Sequence, residues 1–447
     1  MPCLLPLILF LAFLVAPVFA LAPEAVLLVV GDQHSAYERS AQLVGRVDRL
    51  RAENPGVPFA ILIDGDSLEY GNMVARRTSG AIDFALFSAL ARRAPTILNL
   101  GNHEPEFFDL PQTVARLRAA GLIVINGNLR DRESGKPFAP ASAQLQLGAH
   151  EATFVGVATD RLSTYRAAIR PQLDLTDPVV WARANFPALL KTTALPVVLS
   201  HAGLRADREM LTLVPEGTLF AGAHDHLRFE HRAGRTVYFH SGSWLEAVSV
   251  ARLRRVDGAL RWDVEQEPLK ADDTADPEMV ELIRQTLAQH LTSEETAVVG
   301  RTLKALAPAD AARFAVEAAR RAAGADVAIV GATTFGGGLP AGEVTRFAFD
   351  ACVRFDGPLF SAVVDGAALK KILARANQGP DTPFPERGGE NLVVTVAGEI
   401  VAGRTYRLVT TDWIAKNAKN YLGDNPPALT EQPTLTLKAA VITALRP

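Results

Sequence analysis

The chain has 447 residues, of which 48% are hydrophobic and 21% charged, with a formal net charge of −3. That length exceeds one ordinary core and implies two domains, while the composition excludes an extensively disordered chain. No basic surplus marks a nucleic-acid polymer or an acidic membrane surface as the main partner.

Taken in order, Leu4 to Val15 is an apolar run broken only by Pro6. It is short of the roughly 20 residues that span a bilayer, and Pro17-Val18-Phe19-Ala20 gives it a small-residue end. Residues 1–20 therefore read as a signal peptide cleaved after Ala20, placing the mature protein in the periplasm or outside the cell. The segment carries no Lys or Arg, so an uncleaved anchor is the alternative, and stable membrane insertion is expected only in that case. The mature chain would hold one cysteine, Cys352, in an apolar strand-like stretch, which reads as a buried small hydrophobe.

From Ala25 the pattern is strand, loop, helix, repeated. Ala25–Val30 ends in Gly31-Asp32-Gln33-His34, and a helix with Leu43, Val44, Val47 and Leu50 on one face follows. Phe59–Ile63 ends in Asp64-Gly65-Asp66, and Thr96–Leu100 ends in Gly101-Asn102-His103-Glu104. Val197–Leu199 ends in Ser200-His201, and Leu219–Ala221 ends in Gly222-Ala223-His224-Asp225-His226. Thr236–Phe239 runs into His240-Ser241-Gly242-Ser243-Trp244. Ligands in open α/β sheets collect beyond the carboxyl ends of strands. Asp32, His34, Asp66, Asn102, His201, His224 and His226 all stand there. Together they form a thiolate-free set of oxygen and nitrogen donors suited to Mn, Zn, Fe or Co. His103, beside a ligand-type Asn, is placed to face substrate as a proton donor. Asp64 and Asp225 are expected to support the site rather than ligate.

Composition places a first domain over residues 24–264, an acidic linker and connecting helix over 265–295, and a second domain over 296–447. The second domain opens with a helix over Ala311–Ala323, then a strand over Asp326–Val330 and a glycine-containing loop from Gly331 to Gly342.

The motif order D-x-H, G-D, G-N-H-E, S-H, G-x-H-x-H resembles the metallophosphoesterase superfamily. With a signal peptide and a second domain, the chain resembles the 5′-nucleotidase family. The resemblance implies a four-layer α/β/β/α catalytic domain joined to a smaller α/β domain that binds substrate. It implies two divalent metal ions, with Asp32, His34 and His226 on one, Asn102, His201 and His224 on the other, and Asp66 bridging. His103 would match the catalytic histidine. The family's aspartate partner for that histidine is replaced, since Pro105-Glu106 follows here, and Glu106 is the expected substitute. Phe355 and Trp413 match the two aromatic positions between which the family stacks a base. Gly336 and Lys419 stand where the family has an arginine and an aspartate, so nucleotide specificity does not transfer simply.

The expected activity is hydrolysis of a small-molecule phosphate ester, plausibly a nucleotide or nucleotide-like compound. Two other readings stay open. One is a sulfonate-releasing hydrolase of thiosulfate oxidation, which resembles the same family; the other is a non-catalytic ligand-binding protein.

Overall fold

A computed structural model describes residues 22–191, 193–375, 382–387 and 391–446, and the signal-peptide reading of residues 1–20 lies outside the described residues. Strands β1 (Ala25–Gly31), β2 (Phe59–Asp64), β3 (Thr96–Asn99) and β4 (Ile123–Ile125) pair in parallel in that order. They are near-continuous apolar runs, the pattern a strand shows when both of its faces are covered. A second sheet follows, built from β5 (Ser142–Leu147), β6 (His150–Ala158), β7 (Leu195–His201), β8 (Leu219–Gly222), β9 (Arg228–Ala233) and β10 (Thr236–Ser241). Its order is β9-β10-β8-β7-β6-β5. The chain then returns to the first sheet with the hairpin β11 (Ala247–Val256) and β12 (Ala259–Pro268), completing the order β12-β11-β1-β2-β3-β4.

Side-chain alternation along β1 explains the layering. Ala25, Leu27 and Val29 point between the sheets, where they meet Val197 and Leu199 of β7, Ala221 of β8 and Phe239 of β10. Val26, Leu28 and Val30 point the other way, onto Leu43, Val44, Val47 and Leu50 of the helix Tyr37–Glu53. On the far side Val198, Phe220 and Tyr238 pack against Trp181, Phe186 and Leu190 of the helix Pro178–Leu190. Helix, sheet, sheet and helix therefore stack as four layers, as expected.

The helix Pro277–His290 lays Met279, Leu282, Ile283 and Leu287 on the first domain's outer core. Its approach segment lies flush on the helix Tyr37–Glu53 at Gly45, where a Cβ would meet the Thr274 carbonyl at 2.1 Å.

The second domain is a five-stranded sheet of β13 (Val327–Gly331), β14 (Pro358–Asp365), β15 (Leu392–Val396), β16 (Thr405–Thr411) and β17 (Thr430–Thr436), ordered β15-β13-β16-β14-β17. One face of β13 packs Ala328 and Val330 on the helices Pro308–Ala322 and Leu437–Leu445, and the other packs Val327 and Ile329 against Leu369 and Ile372. Cys352 is fully buried, but it ends a helix, Arg346–Cys352, rather than lying in a strand. The Thr345 side chain accepts from Ala348 N and starts that helix. Burial alone pushes the Cys352 thiol up to about 12. Among the described residues no helix is long and apolar enough to cross a membrane.

Candidate metal centre and substrate pocket

Register brings the strand-end loops together. Gly31 pairs with Asp64 and Asp64 with Asn99 in the first sheet, while Ser200 pairs with Gly222 and Gly222 with His240 in the second. The layers are tied beneath the site by Asn99, whose Nδ2 donates to Asp64 Oδ1 and to the carbonyls of Val157 and Leu199, at 2.9, 2.8 and 3.1 Å.

Above that floor the ligand-type side chains form contiguous groups. Asp32, His34 and His226 offer ligand atoms within 4.8 Å of one another, and so do Asp66, His201 and His224. The two groups touch, since His201 Nε2 lies 3.0 Å from Asp66 Oδ2 and 3.8 Å from Asp32 Oδ1. Asn102 is buried beside them; its amide nitrogen faces the Thr164 carbonyl at 3.4 Å, while its Oδ1 has no hydrogen-bond partner. His201 Nε2 and His224 Nδ1 are likewise buried without one. A buried polar atom left unsatisfied is expensive, and several converging on two carboxylates fit the coordination of divalent cations.

Protonation agrees with that fit for three of the four histidines. Burial pushes His34, His224 and His226 down, His224 to about 3, so each is neutral with a lone pair to offer. His201 is the exception: burial opposes its charge, but the Asp66 carboxylate more than offsets this and holds it well above the usual range. His201 Nδ1 faces the Asp64 carbonyl at 2.8 Å. A carbonyl only accepts, so Nδ1 carries the proton and Nε2 is the atom aimed at Asp66 and Asp32.

The backbone is shaped to aim these groups. Asp32, His34, Asp66, His224 and His226 all have positive φ, from 49° to 78°. Such conformations are uncommon outside glycine and cluster where the surroundings over-determine them. Here the restraints are visible. The Asp32 carboxylate accepts from His224 N at 3.0 and 3.1 Å, and Trp244 N donates to the Asp32 carbonyl at 2.8 Å. Glu104 accepts from the backbone N–H groups of Asp66, Ser67 and Gly101, binding two ligand loops together. Gly101 itself leaves room for the aspartate, since a Cβ there would meet Asp66 Oδ1 at 2.4 Å.

His103 stands beside this cluster and within ligand distance of His34 and Asp66. Its Nδ1 lies 2.8 Å from Glu106 Oε1. Burial works against the charge on His103, but the carboxylates of Asp66 and Glu106 win and hold it up at about 10. Both residues are fixed by the 3₁₀ turn Glu104–Glu106.

A cavity of about 390 Å³ opens above His34, Asp66, Asn102 and His103 and runs to Phe355 and Trp413 of the second domain. Neither aromatic is core: Phe355 is 53% exposed and Trp413 is 43% exposed. Trp413 is held by its Nε1–H, which donates to Tyr421 Oη at 2.9 Å.

A family model for calcineurin-like phosphoesterases matches residues 25–228, and one for the 5′-nucleotidase C-terminal domain matches residues 292–424. The chain belongs to the metallophosphoesterases. Similar solved structures share the two-domain fold. The 5′-nucleotidase precursor of Thermus thermophilus is 17% identical with a TM-score of 0.60, covering 94% of this chain and 96% of its own. The sulfate thiohydrolase SoxB of Thermus thermophilus is 15% identical with a TM-score of 0.66, covering 95% of each chain. The 5′-nucleotidase of Candida albicans is 14% identical with a TM-score of 0.61, covering 95% and 98%. A sequence comparison with curated proteins finds no match.

In this metallophosphoesterase several site groups went unnoticed in the sequence. Glu69 is buried 3.3 Å from His34 Nδ1 and accepts from Gly71 N at 2.8 Å. Arg354, from the second domain, lies 3.1 Å from the same carboxylate and sits over the Trp244 ring, which in turn stacks on His34. Gly336 borders this arrangement, for a Cβ there would meet the Ala351 carbonyl at 2.3 Å and Trp244 and Arg354 at 3.1 Å. Of the two aspartates expected to support rather than ligate, Asp64 accepts from Asn99, and Asp225 accepts from Leu204 N at the head of the helix Leu204–Met210.

Proposed function

We propose that the protein is a secreted or periplasmic phosphohydrolase that uses two divalent ions to cleave phosphate esters of nucleotides or related compounds. The observation that carries this reading is the shared cavity. It joins His34 and His226 of one ligand group and Asp66 and His224 of the other to two exposed aromatic rings of the second domain. Asp32, His34 and His226 would hold one ion, Asn102, His201 and His224 the other, with Asp66 between them. Bound there, such ions supply Lewis acidity to a phosphoryl group.

The chain's own residues do the rest. Glu106, 2.8 Å from His103 Nδ1, keeps the proton on that nitrogen and turns Nε2 toward the cavity. From there His103 donates a proton to the departing oxygen. Phe355 and Trp413 receive the planar part of the leaving group, and the second domain thereby positions the ester over the metal groups. Gly336 contributes no charge to that pocket.

A sulfonate-releasing activity is the second reading, in keeping with the likeness of the fold to the sulfate thiohydrolase SoxB. Purified protein loaded with Mn²⁺ and offered nucleoside monophosphates, sugar nucleotides and aryl phosphates tests both. Phosphate release from nucleotides supports the proposal. No release from any ester, with sulfate release from a sulfonated thiol, would replace it with the second reading.

A further inference from the structure

His103 Nδ1 faces two carboxylates, Glu106 at 2.8 Å and Glu69 at 3.9 Å. They arrive on different segments, Glu106 on the 3₁₀ turn Glu104–Glu106 and Glu69 on the stretch between β2 and the helix Met73–Thr78. One side chain from a third segment reaches both. Arg166 donates its Nη1 to the Glu106 carbonyl at 2.6 Å, and its guanidinium lies over the ring of Tyr70, the residue after Glu69, 4.3 Å from the centroid. Arg76 stands at the same distance from that ring.

A turn of three residues leaves its last carbonyls without partners inside the turn. Pro105 bends this one away from helical geometry, and the bond that secures its end comes from Arg166. Arg166 is itself presented by a stapled loop. Tyr165 beside it is buried, and its hydroxyl donates to the Thr159 carbonyl at 2.8 Å. Arg170 donates its Nε to the Tyr165 carbonyl at 2.7 Å and its Nη2 to the Ser163 carbonyl at 2.8 Å. The same loop meets Asn102 through the Thr164 carbonyl, a backbone atom that a change of the Arg166 side chain leaves in place. Ser163 and Thr164 line the cavity, whereas Arg166 stands behind its wall.

We propose that Arg166 is a positioning residue for proton donation, tying together the two segments whose carboxylates aim the His103 imidazole. It acts through Glu106 and Tyr70 and touches neither substrate nor metal ligand. The inference rests on the phosphohydrolase reading for its reaction, but the positioning can be observed apart from turnover.

In full-length protein loaded with Mn²⁺, Arg166→Met should lose about 10–100-fold in kcat on a nucleoside monophosphate, the cost of a small misplacement at a reacting group. KM and metal content should stay almost unchanged. Hydrolysis of para-nitrophenyl phosphate should be nearly spared, because its acidic phenol departs without needing a proton. Arg166→Lys should recover most of the loss, since an ammonium can donate to a carbonyl and also lie over a ring. In a His103→Asn background, Arg166→Met should cost nothing further. Independently of turnover, the proton on His103 Nδ1 should give a downfield NMR signal in metal-free protein, identified by its absence in His103→Asn, and Arg166→Met should broaden it. Equal losses on both esters, loss of metal, or a full second cost in the His103→Asn background would each overturn the proposal. So would a signal absent from the wild type or untouched by Arg166→Met. Broadening in Arg166→Met, with no ester hydrolysed by the wild type, upholds the positioning and instead removes the phosphohydrolase reading.

Discussion

The Arg354 guanidinium of the second domain lies 3.1 Å from the Glu69 carboxylate of the first, and both side chains are almost entirely buried. Glu69 faces His34 Nδ1 at 3.3 Å, while Arg354 covers the Trp244 ring that stacks on His34 at 4.9 Å between centroids. One arginine thus braces the same imidazole through a carboxylate and through an indole. Burial alone would raise Glu69; the Arg354 charge beside it reverses this and holds the carboxyl well below its usual range.

Arg354→Met should therefore weaken metal binding about 10–100-fold, the usual effect of removing a group that orients a ligand. Chelator competition measures this directly, and Trp244 fluorescence should shift as its stacked cation is lost. Arg354→Lys should restore little, because an ammonium cannot both lie over the indole and fork toward Glu69. Unchanged metal affinity in Arg354→Met would reduce the pair to a structural link between the domains.

The dinuclear reading predicts close to two metal ions per chain by elemental analysis, and loss of activity on chelation that Mn²⁺ reverses. Asp66→Asn should lower the content at both positions, since Asp66 stands between the two groups. A single ion retained in both Asp66→Asn and His201→Ala would refute it.

His103→Asn should reduce kcat by roughly 10²–10⁴-fold with metal content intact, the range expected for a positioned general acid. Glu106→Gln should give a smaller loss in the same direction, because the 2.8 Å contact is weakened rather than removed. Metal lost together with activity in His103→Asn would make the histidine a ligand.

Phe355→Ala should raise KM for nucleoside monophosphates about tenfold, within the range for one stacked base, and leave small aryl phosphates almost unaffected. Discrimination among bases should stay within about tenfold, since stacking reads little identity. An equal effect on both substrate classes would show that the leaving group sits elsewhere.

Asp207, bonded to Ser200 beside His201, offers a pH test on a carboxylate outside the ligand groups. Burial raises it to about 8, while it accepts hydrogen bonds from Ser200 and Tyr238. In the unfolded chain the same carboxyl releases its proton near ~4. Folding therefore takes up a proton between those values. The contribution to stability is fully present below the unfolded pKa and is lost as pH rises toward 8. Asp207→Asn should flatten this decline and overtake the wild type in urea unfolding at pH 9, by on the order of a few kcal/mol. Parallel curves at pH 5 and pH 9 would show that the carboxyl is ionised when folded.

The four layers and the ligand loops were legible because each rests on a local pattern. An apolar run followed by Asp, Asn or His marks a strand end, and parallel pairing brings such ends together. Glu69 and Arg354 were not legible for the opposite reason, since neither has a local signature: Glu69 meets His34 only once the first domain folds, and Arg354 meets Glu69 only when the domains meet. Glu104 was within view as part of Gly101-Asn102-His103-Glu104, but its task of binding backbone N–H groups of another loop depends on a contact far along the chain. The stretch around Cys352 misled because a short apolar run suits either a strand or a buried helix. Thr345, whose side chain caps Ala348 N, was the signal that decides it.

The positive φ angles at Asp32, His34, Asp66, His224 and His226 also bear on how freely this centre can be redesigned. Aspartate, asparagine, histidine and glycine enter that conformation readily, whereas most other residues meet about 1 kcal/mol or more of strain at each position. Directed evolution toward thiolate ligation would face that resistance at five places before any coordination chemistry was sampled. Asn102 and His201, which do not share the constraint, are where a library has the most room to change the metal the protein prefers.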